Sequence, residues 1–178
     1  MIKIIDNVIP LEKLKEIEKN LTYNHPWYFS SDANHGTKKQ TLTLGTFRQQ
    51  KEFSGGDLFL LDILNKRFCT ENIARSLRNC FRKSDKAQYH QDPGKYTYLF
   101  YVNSVWKRHW GAPTKFKEKR YHLSRSVFPK PGRLVVFSSK LWHKGESPTM
   151  FMPDYIPGRL SIAFHEQDLT KLPYLNQL

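Results

Sequence analysis

Cysteine is scarce in this chain, with two thiols, Cys69 and Cys80, in 178 residues. Two cysteines make neither a disulfide framework nor a structural zinc site. Both fall in segments that read as helix, so they are expected to be reduced core residues of an intracellular, cytoplasmic protein. Long apolar runs are missing too. The stretch LFLLDIL at 58–64 is too short to span a bilayer and contains Asp62. The opening MIKIIDNVIPLEKLKEIEKN has no apolar h-region, so neither a secretory signal nor a membrane partner is expected. Repeats, low-complexity tracts and linkers are likewise absent, which leaves one domain over 1–178 as the expectation. Acid is also in short supply. Sixteen Asp+Glu face 29 Lys+Arg, for a net charge of +13.

What is present is the material of a packed core. Apolar residues make up 39% of the chain and aromatics 14%, more than a disordered chain carries. The positive excess is uneven. From Lys107 to Arg133 there are nine Lys or Arg against one acid, Glu118, which is +8 of the +13. Such a stretch is either a solvated basic surface or a face that meets phosphate or an acidic peptide.

The spacing predicts an amphipathic helix over 10–21. Pro10 suits its first turn, and Leu11, Leu14, Ile17 and Leu21 recur on one face. One or two further helices are predicted over 57–81. Asp57 sits in the first turn, Leu58, Leu61, Leu64 and Phe68 form one stripe, and Ile73, Leu77 and Phe81 form another, with Thr70 as a candidate cap. After residue 85 the character changes. KAQYHQD, YTYLFYVN, RLVVFSS and RLSIAFHEQ are short, aromatic or β-branched, and bounded by turn residues, and TLTLGTF at 41–47 reads the same way. Helices followed by antiparallel strands argue for α+β, with helices on one side of a β-sandwich or barrel.

A census of the seven histidines finds one, His90, with an acid two positions on, Asp92. Residues i and i+2 of a strand share a face, so an imidazole and a carboxylate there can converge on one ion. A second histidine from another strand completes a two-His, one-carboxylate face with open positions, the arrangement that suits Fe(II) oxygenases. Downstream, 128–148 holds a Pro-Gly turn, an apolar strand and His143. The segment 158–164 places Arg159 and Ser161 on one face of a strand.

With these segments in order, the chain resembles the prolyl 4-hydroxylase-like branch of the Fe(II)/2-oxoglutarate oxygenases. The resemblance rests on His90-Gln91-Asp92, Tyr101-Val102-Asn103, the hairpin Trp110 to Thr114, the block from Pro129 to His143, and Arg159. It covers about 86–166, with a looser match of the DNVIP opening. It implies a double-stranded β-helix (a jelly-roll, cupin-like core) over about 86–166, supported by helices in about 1–85 packed on one sheet. It also implies that His90, Asp92 and His143 bind Fe(II), that Arg159 and Ser161 hold the distal carboxylate of 2-oxoglutarate, and that Tyr101 makes a third contact to it. A guanidinium suits that role because it grips a carboxylate with two hydrogen bonds and stays charged when buried. The implied reaction is hydroxylation of a substrate by O₂, coupled to decarboxylation of 2-oxoglutarate to succinate, with ascorbate as a further cofactor.

The substrate implied is a prolyl or other peptide side chain. Two features depart from the family pattern. The hairpin reads Gly111-Ala112-Pro113-Thr114 where two glycines are usual, and the gap between His143 and Arg159 is long. The insert SPTMFMPDYIPG is expected to form a loop near the site's mouth. Longer gaps also occur in nucleic-acid demethylases, so an oxygenase acting on nucleic acid through the basic 107–133 stretch stays open. A catalytically silent jelly-roll binding module with a basic surface is the alternative of a different class. A zinc hydrolase is disfavoured because no His-Glu-x-x-His is present.

Overall fold

The computed structural model describes residues 1–23, 28–30, 41–47, 55–70, 72–117 and 124–167. In chain order these form β1 (Ile2–Ile5), α1 (Leu11–Tyr23), β2 (Tyr28–Ser30), β3 (Thr41–Phe47), α2 (Gly55–Phe68), β4 (Ile73–Phe81) and β5 (Tyr96–Tyr101). A 3-10 turn at Arg108–Trp110 follows, then β6 (Thr114–Lys117), β7 (Ser124–Val127), β8 (Leu134–Ser138), β9 (Trp142–Gly145) and β10 (Arg159–Glu166). The strands make a seven-stranded sheet in the order β1-β8-β5-β10-β4-β3-β2 and a three-stranded sheet in the order β7-β6-β9. All described pairings are antiparallel. Helices packed on one face of an antiparallel sheet, with a second sheet over the other face, is the α+β double-stranded β-helix arrangement.

Period-two alternation sorts the side chains of the large sheet. Leu160, Ile162 and Phe164 of β10, Phe100 of β5 and Leu134 of β8 point to the helices. There they meet Leu14, Ile17 and Leu21 of α1 and Leu60 and Leu64 of α2. Burying each such side chain contributes about 1.5–3 kcal/mol. The opposite face carries Leu99, Tyr101, Val135, Phe137 and Ala163, which pack on Phe116 and Val127 of the small sheet. At one end of this second layer the packing stops and a cavity opens. Two of the predicted stripe residues, Leu11 and Leu58, are exposed.

Residues 73–81 are a strand, not the second helix that the Ile73, Leu77, Phe81 spacing predicts. A spacing of four satisfies a 3.6-residue period and a two-residue period equally, and tertiary pairing decides. β4 lies between β10 and β3. It turns Arg75, Leu77, Asn79 and Phe81 to the cavity and Ser76 and Arg78 to α2, where both donate hydrogen bonds to the buried Asp57 carboxylate. Asp57 is therefore an internal ion-pair partner and not merely a favourable charge in a first turn. Removing one donor to this buried carboxylate leaves it less satisfied, so Ser76→Ala is expected to cost about 2 kcal/mol, read by urea unfolding. A loss below a few tenths would show that the bond is dispensable.

The cysteines divide. Cys80 lies on β4, buried, its thiol pushed up to about 12 first by burial and then by the nearby Asp85 charge. Cys69 is exposed just past α2, so it is not the core residue expected. Thr70 donates to Asn65 at 3.1 Å and caps no second helix. No helix among the described residues is long and apolar enough to cross a membrane.

Candidate metal and co-substrate site

The cavity holds about 710 Å³ and opens between the two sheets. His90 lies outside the named strands, but a single narrow antiparallel bridge ties it to His143 on β9. Each residue's N–H donates to the other's carbonyl at 2.9 Å. That pairing sets the two imidazoles side by side, ring centroids 4.4 Å apart. Asp92 is pinned by its own N–H, which donates to the Ser139 carbonyl at 2.9 Å. One ligand atom from each of His90, Asp92 and His143 lies within 4.8 Å of the others. No other group of His, Cys, Asp or Glu among the described residues is so arranged. His143 follows the apolar strand β8 and lies on the next strand, β9.

The local hydrogen bonds orient each member. His90 Nδ1 faces the Gln88 carbonyl at 3.1 Å, and His143 Nδ1 faces the Leu141 carbonyl at 2.9 Å. A ring nitrogen against a carbonyl is the donor, which turns both Nε2 atoms inward, where they are placed to ligate a metal or, without one, to donate to Asp92. Those Nε2 atoms approach Asp92, at 3.7 Å from Oδ1 for His90 and 3.3 Å from Oδ2 for His143. Thr97 donates to Asp92 Oδ2 at 2.7 Å and itself meets Ser139 at 3.0 Å. Burial by itself raises the Asp92 carboxyl. The His143 hydrogen bond and the His165, His143 and His90 rings outweigh burial and hold it well below the usual carboxylate range. The group is thus an anion wrapped by imidazoles, which is the chemistry a divalent cation replaces.

The second half of the site lies deeper. Arg159 opens β10, 2% exposed, its guanidinium stacked 4.3 Å over the Phe81 ring. Nη1 donates to Thr114 Oγ1 at 3.2 Å and weakly to the Ala112 carbonyl at 3.4 Å. Its Nε and the Ser161 Oγ, two residues on along the same face, are buried without a hydrogen-bond partner among the described residues. Burial pulls the guanidinium below its ordinary value, and no described carboxylate opposes that. A buried cation, an orphaned donor and an orphaned hydroxyl on one wall fit a small carboxylic acid.

Tyr101 is fully buried, its hydroxyl committed to Thr114 at 2.7 Å and donating to the Val127 carbonyl at 3.1 Å. It stands behind Thr114, so the hydroxyl that touches the guanidinium belongs to Thr114, which the sequence alone did not single out. Gly145, two residues past His143, was missed as well. A Cβ there would lie 2.8 Å from Arg159 Nη2 and 2.7 Å from Phe81 Cζ. The strand alternation that marks His143 as inward marks Gly145 as inward too. His165 lines the cavity and was also passed over. Burial first, then the Arg75, His143 and His90 charges, lower it to about 4 against the pull of Asp92, so its ring is neutral at neutral pH.

The hairpin keeps a left-handed path through both Gly111 (φ 70°) and Ala112 (φ 56°) despite having alanine in place of a second glycine. The 147–158 insert is a loop, anchored by buried Met152 against Trp106 and Trp110 and exposing Met150, Phe151 and Tyr155. Of the basic stretch, 118–123 lies outside the described residues. Lys115 pairs with Glu146 at 3.0 Å, and Lys130 and Arg133 pair with Asp6 at 2.9 and 2.6 Å. Those three cations serve the fold's own acids.

Comparison with known proteins agrees with this geometry. A family model described as the 2OG-Fe(II) oxygenase superfamily matches residues 23–165. No curated protein matches the sequence. Among solved structures, a prolyl-4-hydroxylase of Pseudomonas putida superposes with a TM-score of 0.68 at 14% identity, covering 93% of this chain and 92% of that one. A Trichoplax adhaerens prolyl hydroxylase, solved with a hypoxia inducible factor oxygen degradation domain peptide fragment, gives 0.67 at 16% identity, covering 95% and 84%. An oxidoreductase of the same oxygenase family from Burkholderia pseudomallei gives 0.68 at 12% identity, covering 93% and 86%. At these identities the likeness is one of fold.

Proposed function

Because this chain belongs to the 2OG-Fe(II) oxygenase superfamily, we propose that it hydroxylates a prolyl or other peptide side chain, with decarboxylation of 2-oxoglutarate to succinate. It is a 2-oxoglutarate-dependent dioxygenase whose cofactors are Fe(II), 2-oxoglutarate and O₂, and the silent-module and zinc-hydrolase readings fall with that membership. The observation that carries the proposal is the pairing of a His-Asp-His cluster with a buried arginine that no described carboxylate opposes, on the walls of one cavity.

In this reading His90, Asp92 and His143 would hold Fe(II). The bound metal and co-substrate supply the oxidising chemistry. The chain's own work is placement. Arg159 and Ser161 grip the distal carboxylate, Thr114 fixes the guanidinium with Tyr101 behind it, and the Phe81 ring walls its flank. Leu77, Leu99, Phe137 and Ala163 give the cavity an apolar lining. A peptide substrate is supported by the open cavity and by the peptide in the Trichoplax relative. The pairing of Lys115, Lys130 and Arg133 with acids weakens the case for nucleic acid. Ascorbate enters the proposal as the reductant that keeps the iron ferrous. The exposed thiol of Cys69 supports a reducing, cytoplasmic setting, and one domain over 1–178 carries the activity.

The test is succinate formation from 2-oxoglutarate with Fe(II), with and without proline-containing peptides, and mass analysis of the peptides for one added oxygen. Stimulation and oxygenation by an oligonucleotide instead, with salt-sensitive binding, would replace the peptide reading.

Gly145→Ala provides a finer check. The added methyl must displace Arg159 or Phe81, so 2-oxoglutarate affinity is expected to fall by about tenfold or more while Mn(II) affinity holds. An unchanged 2-oxoglutarate titration would show that the close approach is incidental.

A further inference from the structure

β10 carries four residues on its cavity face, Arg159, Ser161, Ala163 and His165. The proposed function uses the first two, and Ala163 packs against Leu99 and Phe137. His165 is left over. It is 2% exposed, and both of its ring nitrogens are buried with no hydrogen-bond partner among the described residues. A buried imidazole in that state is costly, and such groups in native proteins call for an explanation. Registration supplies one. His165 pairs across β10 and β5 with Thr97, the residue whose hydroxyl already donates to Asp92 Oδ2. His165 Nδ1 lies 3.7 Å from that same oxygen, so a movement of about 0.5–1 Å makes the contact a hydrogen bond. The residue therefore sits next to the proposed ligand set without belonging to the cluster that converges on one point.

We propose that His165 is a positioning residue for the metal, its Nδ1–H donating to Asp92 Oδ2 beside Thr97 so that Asp92 presents its other oxygen to the cation. Two neighbouring strands thus hold the outer oxygen of the carboxylate, Thr97 from β5 and His165 from β10. Partners of this kind fix a ligand's orientation and set metal affinity without touching the metal. The inference rests on the reading of His90, Asp92 and His143 as the metal ligands.

The test uses metal alone. Mn(II) is titrated by calorimetry, and Co(II) by its visible absorption, into the full chain and into His165→Leu and His165→Asn. The metal-free melting temperature of each is recorded alongside. His165→Leu is expected to lose roughly 10–100-fold in Mn(II) affinity and to alter the Co(II) spectrum. Its metal-free melting temperature should hold or rise, because an unsatisfied polar ring is gone. His165→Asn, whose amide nitrogen takes the place of Nδ1, should recover most of the affinity. A merely packed histidine gives the opposite pattern, with a shifted melting temperature and unaltered metal binding, and that result overturns the proposal. If His165→Leu does not fold, the wild type decides. On titration with diamagnetic Zn(II), a slowly exchanging His165 Nδ1–H resonance should appear, and its absence overturns the assignment. A wild-type chain that binds no divalent cation removes the ligand-set reading itself. Normal wild-type binding with an indifferent His165→Leu removes only this inference.

Discussion

Asp92→Ala is expected to abolish metal binding and succinate formation together. Asp92 is the one carboxylate in the cluster, and it is held ionised by the imidazoles around it. Without it, two imidazoles remain to bind a cation that prefers an anionic oxygen among its ligands. The lost Coulomb attraction acts in a buried site, where effective screening is weaker than in water. Turnover should fall to background, and Mn(II) titration should show no saturable site. Asp92→Asn separates folding from chemistry. Its amide oxygen can still accept from Thr97, so the chain should fold, yet the anionic charge is gone and activity should remain at background. Near-wild-type succinate formation in either variant would remove Asp92 from the ligand set, and with it the whole assignment.

Arg159→Leu is expected to raise the 2-oxoglutarate requirement by at least about 100-fold, because it removes two charge-assisted hydrogen bonds, each contributing about 1.5–3 kcal/mol. Mn(II) affinity should hold, since the guanidinium is not part of the ligand cluster. The substitution also removes a buried cation with no described carboxylate partner. The metal-free protein should therefore lose little stability, and it can gain some. Arg159→Lys keeps the charge but not the two-pronged geometry, and should fall between the two. An Arg159→Leu enzyme with an unaltered 2-oxoglutarate titration would mean that the co-substrate carboxylate is held elsewhere.

The residues of the site were unequally legible. His90 and Asp92 stand two apart, and that spacing is visible in any strand-like segment. His143 and Arg159 are linked to them by the order of motifs, and the fold brings all four to one cavity. His165 follows from the same alternation that selects Arg159 and Ser161, six and four residues earlier on β10, but only its empty hydrogen bonds and its distance to Asp92 mark it as more than packing. Thr114 carries no local signature, and Gly145 carries only the inward alternation it shares with His143. Each matters because β6 and β9 are neighbours and bring both residues against a guanidinium from a third strand.

The sequence by itself determined the class of the molecule. Period-two runs after residue 85, an amphipathic helix near the start, a His-x-Asp pair and an inward-facing Arg-x-Ser are local patterns, and local stereochemistry is enough to read them. Tertiary structure alone decided whether 73–81 is helix or strand, because a spacing of four serves both periods and only the gap between β10 and β3 selects one. It likewise decided which hydroxyl meets Arg159 and which buried histidine is left without a hydrogen bond among the described residues. These depend on register between strands distant in the chain, and register is a property of the packed sheet rather than of any one segment.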